Sequence, residues 1–274
     1  MTEKIGSTFQ NSIEEGEQRL SRRWAALFAT GAVGGIDVGI GVFGLIIVHE
    51  ATGSPLLAGL AFGIGFIALA LANSELFTEN FLVPIAAVAA GRARPLAVVR
   101  LWGGTAVTNL LGGWVLMAVV MLGFPKLRPT AVELAEHYVD MGIGSEAFAT
   151  AVLGGTVITL MTWMQRGADS LATQLVAAVA AAFLLGAGPL NHAIVVSLVM
   201  FAGLQAGAPF GYLDWLGVLG WATVGNIVGG VGLVTVLRLV QVGKDRLVEE
   251  REAAGSGDVS VDEGEREPLG SSRR

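Results

Sequence analysis

The chain has 274 residues, 53% of them hydrophobic and 15% charged, whereas soluble domains carry roughly a quarter charged residues. With no cysteine, it can hold no disulfide, thiol nucleophile or cysteine-based metal centre. Its net charge of −6 comes largely from the tails, and no basic stripe is present for nucleic acid to bind.

In chain order, residues Met1–Ser21 are polar and charged and lack the apolar stretch of a cleavable leader. Glu14, Glu15 and Glu17, followed by Arg19, Arg22 and Arg23, predict a short surface helix leading into the membrane. Apolar runs follow near 24–48, 55–90, 101–122, 147–164, 170–200 and 215–237. Each is at least about 18 residues, enough to cross a hydrocarbon core at about 1.5 Å per residue. None shows the polar face that a soluble helical enzyme requires, and the 39 glycines suit close helix packing in lipid.

Span 1 carries Asp37, a carboxylate costing roughly 2.5–3.5 kcal/mol on insertion scales. It is expected to face the protein interior and to find a hydrogen-bonding partner there. Span 2 is interrupted at 73–80, which holds Ser74, Glu75, Leu76, Phe77, Thr78 and Glu79, with Pro84 beyond. Span 3 carries Asn109. A long loop over about 123–146 follows, with Glu133, Glu136 and Asp140. Span 5 is interrupted at 186–192, where Pro189 precedes Asn191 and His192. Span 6 carries Asn226. The expected domains are the 1–23 cytoplasmic segment, a 24–240 transmembrane domain and a 241–274 cytoplasmic tail, disordered from Gly255 onward.

Lys and Arg lie before span 1, between spans 2 and 3, between spans 4 and 5, and after span 6, with only Lys126 and Arg128 on the other side. The positive-inside rule then places both termini in the cytoplasm of a multi-pass protein of the cell (inner) membrane. An internal repeat supports six spans. The pattern V-x-N-(L/I)-(L/V)-G-G around Asn109 recurs around Asn226, 117 residues later, and Gly34-Gly35 of span 1 is echoed by Gly154-Gly155 of span 4. Three spans separate the copies, so the halves are inverted. Interrupted spans at equivalent places of inverted halves mark a translocation site, because freed backbone groups are tolerated only inside protein or along a polar cavity.

His192 lies at the second break, where an ionisable group is costly; its ordinary pKa of about 6.5 allows proton exchange near neutral pH. Glu75 and Glu79 either border a vestibule or bond freed N–H groups, and Asn109 and Asn226 either cap the broken helices or line the path. Leu76, Phe77, Phe66, Phe183 and Leu185 are candidates for apolar constrictions. His49 and His137 read as surface residues. No P-loop, dinucleotide fingerprint or metal-ligand cluster is present.

Ser74-Glu75-Leu76-Phe77-Thr78, Pro189-Leu190-Asn191-His192 and Val224-Gly225-Asn226-Ile227-Val228-Gly229-Gly230, in this order on spans 2, 5 and 6, resemble the formate/nitrite transporter family over about 24–240. The resemblance implies an aquaporin-like fold and a homopentamer with one pore per protomer. It implies passage of small monovalent anions, with Leu76, Phe77 and Thr78 at a constriction near His192. The anion crosses as its neutral acid after taking a proton, and no cofactor takes part. The chain departs from the family in lacking a vestibule lysine before span 4, in carrying Asn191 where an acidic residue is common, and in the added carboxylates Asp37, Glu75 and Glu79. Two other functions fit the same residues: a neutral-solute channel, although neither break has the Asn-Pro-Ala triplet of aquaporins, and a non-transporting scaffold or sensor.

Overall fold

The computed structural model describes residues 2–264, and every regular element among them is helical. Helix α1 (Thr2–Ser21) precedes α2 (Trp24–Thr52). α2 ends at Gly53, whose φ of 61° lets its N–H bond the His49 carbonyl. Ser54 then caps α3 (Pro55–Ala72), its hydroxyl accepting from the Leu57 N–H, with Pro55 at the first helical position. α3 stops at Asn73, the single non-glycine residue with positive φ among the described residues; asparagine tolerates this conformation better than other side chains. The next nine residues hold one 3₁₀ segment, Phe77–Phe81, before the short α4 (Val83–Ala89).

Further along come α5 (Pro95–Gly123), α6 (Arg128–Asp140), α7 (Ser145–Arg166), α8 (Leu171–Ala187) and α9 (Ala193–Ala206). The 188–192 stretch between α8 and α9 is not helical. α10 (Tyr212–Ile227) continues through a π-helical segment, Val228–Thr235, into α11 (Val236–Val242). Among the described residues, five continuous helices are long and apolar enough to cross a membrane: Trp24–Thr52, Pro55–Ala72, Pro95–Gly123, Ser145–Arg166 and Tyr212–Val242. α8 and α9 are each too short alone. The outer surface is apolar, with Leu111, Val119, Leu122, Val176 and Leu213 all more than half exposed, while Glu75, Glu79, Asn80, Asn109, Asn191, His192 and Asn226 are buried. Polar residues inside and apolar ones outside is the arrangement that lipid selects.

Two glycines show how closely the helices meet. A Cβ on Gly35 would overlap the carbonyl of Asn109, and one on Gly155 would overlap the carbonyl of Asn226. Only glycine allows α2 against α5, and α7 against α10, at this spacing.

Three expectations are revised. α1 is not a surface helix alone: Phe9, Ile13 and Leu20 are buried, and Phe9 and Ile13 pack with Leu82, Val83, Ala86 and Trp163. The spacing of these apolar residues gives α1 one face to bury. The 123–146 loop contains α6, which lies against α9 and buries Thr130, Ala131, Ala135 and Tyr138. The tail begins with a helix, α12 (Lys244–Gly264), which reaches into the stretch expected to be disordered. Its first half is rich in Glu, Arg and Ala, all good helix formers, and Arg251 ties it to the Ala89 carbonyl at 2.8 Å. Residues 265–274 of the same expectation lie outside the described residues.

Candidate functional site

The two non-helical stretches leave backbone groups that no helix satisfies, and two asparagines meet them. Asn109 Oδ1 accepts from the Phe77 N–H at 2.8 Å, while its Nδ2 donates to the carbonyls of Gly31 (2.7 Å) and Glu75 (2.8 Å). Asn226 Oδ1 accepts from the Ala193 N–H at 2.9 Å, while its Nδ2 donates to the carbonyls of Ala151 (2.7 Å) and Asn191 (3.0 Å). Thr235 Oγ1 donates to the Phe81 carbonyl (2.7 Å) and Trp102 Nε1 to the Asn80 carbonyl (2.8 Å). The rings of Phe77, Phe81 and Trp102 meet edge to face around the first break, with centroids 5.1–6.1 Å apart.

The breaks touch through Thr78 and His192, both fully buried, with Thr78 Oγ1 2.7 Å from His192 Nε2. His192 also caps α9, its Nδ1 accepting from the Val195 N–H at 3.3 Å. A nitrogen that accepts carries no proton, so the neutral ring holds its proton on Nε2 and donates it to Thr78. The Thr78 hydroxyl proton is then left without a protein acceptor among the described residues. Beside this contact, Asn191 Oδ1 is buried and unpartnered, although its Nδ2 donates to the Ala147 carbonyl at 3.3 Å.

The charged residues of the first break are answered from α1. Glu75 pairs with Arg22 and accepts from Asn80 Nδ2 at 2.8 Å. Arg19, 6% exposed, reaches Glu15, Glu75, Glu79 and the Asn80 side-chain carbonyl. Burial opposes the charge of Arg19, but Glu75, Glu79 and Glu15 outweigh it and hold its pKa above the ordinary value. Burial would likewise raise the Glu15 carboxyl, yet Arg19, then Arg166 and Arg22, keep it below the usual carboxylate range. Asp37 is half-buried rather than fully buried and accepts from Ser74 Oγ at 2.6 Å.

Each break contributes wall to a cavity. Ser74 and Glu79, with Arg19, Arg22 and Arg166, line a polar chamber of about 120 Å³. Leu185 and Pro189, with His49, Glu133, Glu136 and His137, line a wider cavity of about 550 Å³. His137 is exposed and His49 half-buried, as expected of residues at the surface, and both line this cavity.

Leu76 and Phe77 are buried beside Thr78, as is Glu79. Phe66 is buried and packs on Phe62, their centroids 5.3 Å apart. Phe183 is half-buried and joins neither cavity wall. Sequence reasoning missed Arg19, Arg22, Trp102, Thr235 and Gln165. The one available signal was Glu15 four residues before Arg19, a helical ion pair that is realised at 2.7 Å.

The sequence model of the family described as formate/nitrite transporter matches residues 6–240. "Inner membrane protein YfdC" of Escherichia coli (strain K12) is 27% identical over 271 residues, covering 88% of this chain and 81% of its own. "Uncharacterized transporter YrhG" of Bacillus subtilis (strain 168) is 24% identical over 240 residues, covering 81% and 88%. Among solved structures, an FNT family ion channel superposes with a TM-score of 0.76 at 18% identity over 88% of this chain and 99% of its own. A pentameric formate channel with formate bound gives 0.67 at 23% identity over 81% and 98%. At these identities the structural likeness establishes the fold.

Proposed function

Because the chain belongs to the formate/nitrite transporter family, whose members are membrane channels and transporters and not enzymes, we propose that it passes small monovalent weak-acid anions of the formate and nitrite type. One observation carries the proposal: the Thr78–His192 hydrogen bond joins two broken segments, one walling the 120 Å³ chamber and the other the 550 Å³ cavity. The permeant route runs from one cavity to the other past this contact.

In this reading α3 with α4, and α8 with α9, are interrupted spans, which makes six in all. The matching hydrogen bonds of Asn109 and Asn226 support two inverted halves in an aquaporin-like fold, and the positive charges support cytoplasmic termini. A bare charge does not cross an apolar constriction cheaply. The anion therefore meets Leu76 and Phe77, accepts a hydrogen bond from Thr78, takes a proton from His192, which regains one from water in the flanking cavities, and crosses as the neutral acid. Glu133, Glu136 and Asp140 line the wider cavity and no Lys or Arg joins them, which favours the uncharged acid as the species entering there. The assembly is a homopentamer in the bilayer, as in the pentameric formate channel.

Uptake of formate, nitrite and acetate into proteoliposomes at two pH values tests the proposal. Flux that tracks the concentration of the weak acid supports it. Passage of a neutral solute with no weak-acid flux selects the neutral-solute alternative, and no flux of any kind leaves the scaffold or sensor.

A further inference from the structure

The polar chamber beside the first break has the composition of a binding site. At about 30 Å³ per water, its 120 Å³ holds about four waters or one ion of three or four heavy atoms. Three guanidinium groups, those of Arg19, Arg22 and Arg166, reach its wall with two lining carboxylates, Glu15 and Glu79, while Glu75 pairs with Arg22 and Arg19 from outside the lining. Both carboxylates are engaged. Glu15 accepts from Arg19 Nε at 2.7 Å and from Arg166 Nη1 at 3.2 Å. Glu79 lies 3.6 Å from Arg19 Nη1 and accepts from the Leu76 N–H at 3.4 Å.

The donors are not exhausted. A guanidinium carries five N–H groups, and Arg166 Nε is buried without a partner. Gln165, 7% exposed, presents to the chamber a carboxamide that bonds no protein group among the described residues. Buried polar groups of this kind cost free energy unless something in the cavity meets them. Surplus N–H donors, with the carboxylates already engaged by the guanidinium groups, select a ligand that only accepts hydrogen bonds. A guanidinium favours a planar oxyanion, which takes two parallel N–H groups.

We propose that this chamber binds one small monovalent oxyanion, held by Arg22 and Arg166 and oriented by the Gln165 amide. The identity of the ion as formate or nitrite rests on the transport reading; the site itself does not. A partly neutralised wall holds the ion weakly, as a route that must also release it requires.

Thermal unfolding of the detergent-purified full chain in sodium formate or sodium nitrite, against sodium chloride at equal ionic strength, tests the site. Formate and nitrite are expected to raise the Tm in a saturable way. Gln165→Leu, which keeps approximate volume but removes the carboxamide, and Gln165→Glu, which keeps the size but adds an opposing charge, are each expected to weaken apparent binding roughly tenfold or more, about the worth of one charge-assisted hydrogen bond. Glu133→Gln, in the other cavity, is expected to leave binding unchanged. Saturable binding lost in both Gln165 variants upholds the site even where proteoliposomes show no flux, a result that would overturn the transport reading alone. No saturable shift in the wild type, or the same shift in both Gln165 variants, overturns the site.

Discussion

Asn109 and Asn226 hold two separate interruptions in helical backbone with the same three hydrogen bonds each. In both, the carboxamide oxygen takes one backbone N–H within or just after the break. The nitrogen gives one bond to a carbonyl in the break and one to a carbonyl in a neighbouring long helix. The neighbours are α2 for Asn109 and α7 for Asn226, and each presents a glycine, Gly35 or Gly155, where a Cβ would strike the asparagine's own carbonyl. A carboxamide is suited to this task because it donates twice and accepts without carrying charge into the membrane.

Asn226→Leu follows directly. The substitution keeps approximate volume but strands the Ala193 N–H and the Asn191 carbonyl, and removes the extra bond to the helical Ala151 carbonyl. At roughly 1–3 kcal/mol for each unsatisfied buried group, it is expected to destabilise the protein by about 3 kcal/mol or more, and Asn109→Leu by a similar amount. Thermal unfolding in detergent measures both. A loss below about 1 kcal/mol in either would show that the break holds itself without the asparagine.

Much of this arrangement was legible in the sequence because it rests on residues that are costly in a membrane. His192, Glu75, Asn109 and Asn226 stand out against apolar neighbours, and Gly188-Pro189 breaks a helix whatever surrounds it. The cluster around Arg19 was not legible. Near a membrane end, an arginine that anchors at the interface and one that turns inward to a buried carboxylate have the same sequence signature. Only the burial of Phe9 and Ile13 against α4 swings Arg19 inward. The wall role of His49 and His137 was hidden for the same reason, because α6 covers the cavity only through long-range packing on α9.

Acid should loosen α1. Glu15 has a folded-state pKa below its ordinary value of 4.5 because Arg19, Arg166 and Arg22 outweigh its burial. Its contribution is therefore complete above about pH 4.5 and is lost as pH falls through the lower, folded-state value. Glu15→Gln is expected to lower stability at pH 7 by about 1–2 kcal/mol and to flatten its decline between about pH 5 and 3. Unfolding midpoints of wild type and variant across that range decide it; parallel curves would mean that Glu15 contributes nothing specific.

The chain has no cysteine, so single cysteines report topology cleanly. Ser7→Cys on α1 and Glu249→Cys on α12 are expected to react with an impermeant maleimide only from the cytoplasmic side. Glu133→Cys on α6 is expected to react only from the opposite side. Labelling of Ser7→Cys and Glu249→Cys from different sides would leave an odd number of spans and end the inverted-repeat reading.

His192 and Thr78 give the most direct test of proton linkage. His192 plays two parts, capping α9 through Nδ1 and bonding Thr78 through Nε2, and substitutions can separate them. Asparagine caps a helix as well as any residue, so His192→Asn should keep α9 in place while removing the only titratable group at this contact. His192→Phe removes both and is expected to cost stability as well. Thr78→Val keeps the shape of the residue and removes the hydroxyl, with an expected loss of weak-acid flux of roughly tenfold, about the worth of one hydrogen bond in a dry site. Formate uptake into proteoliposomes between about pH 5 and 8, the range in which a histidine titrates, is expected to follow a different pH profile in His192→Asn and in His192→Phe than in the wild type, while Thr78→Val lowers flux at every pH. If all four proteins gave superimposable profiles, His192 would be a helix cap and nothing more, and the proton of the crossing acid would have to come from water in the flanking cavities.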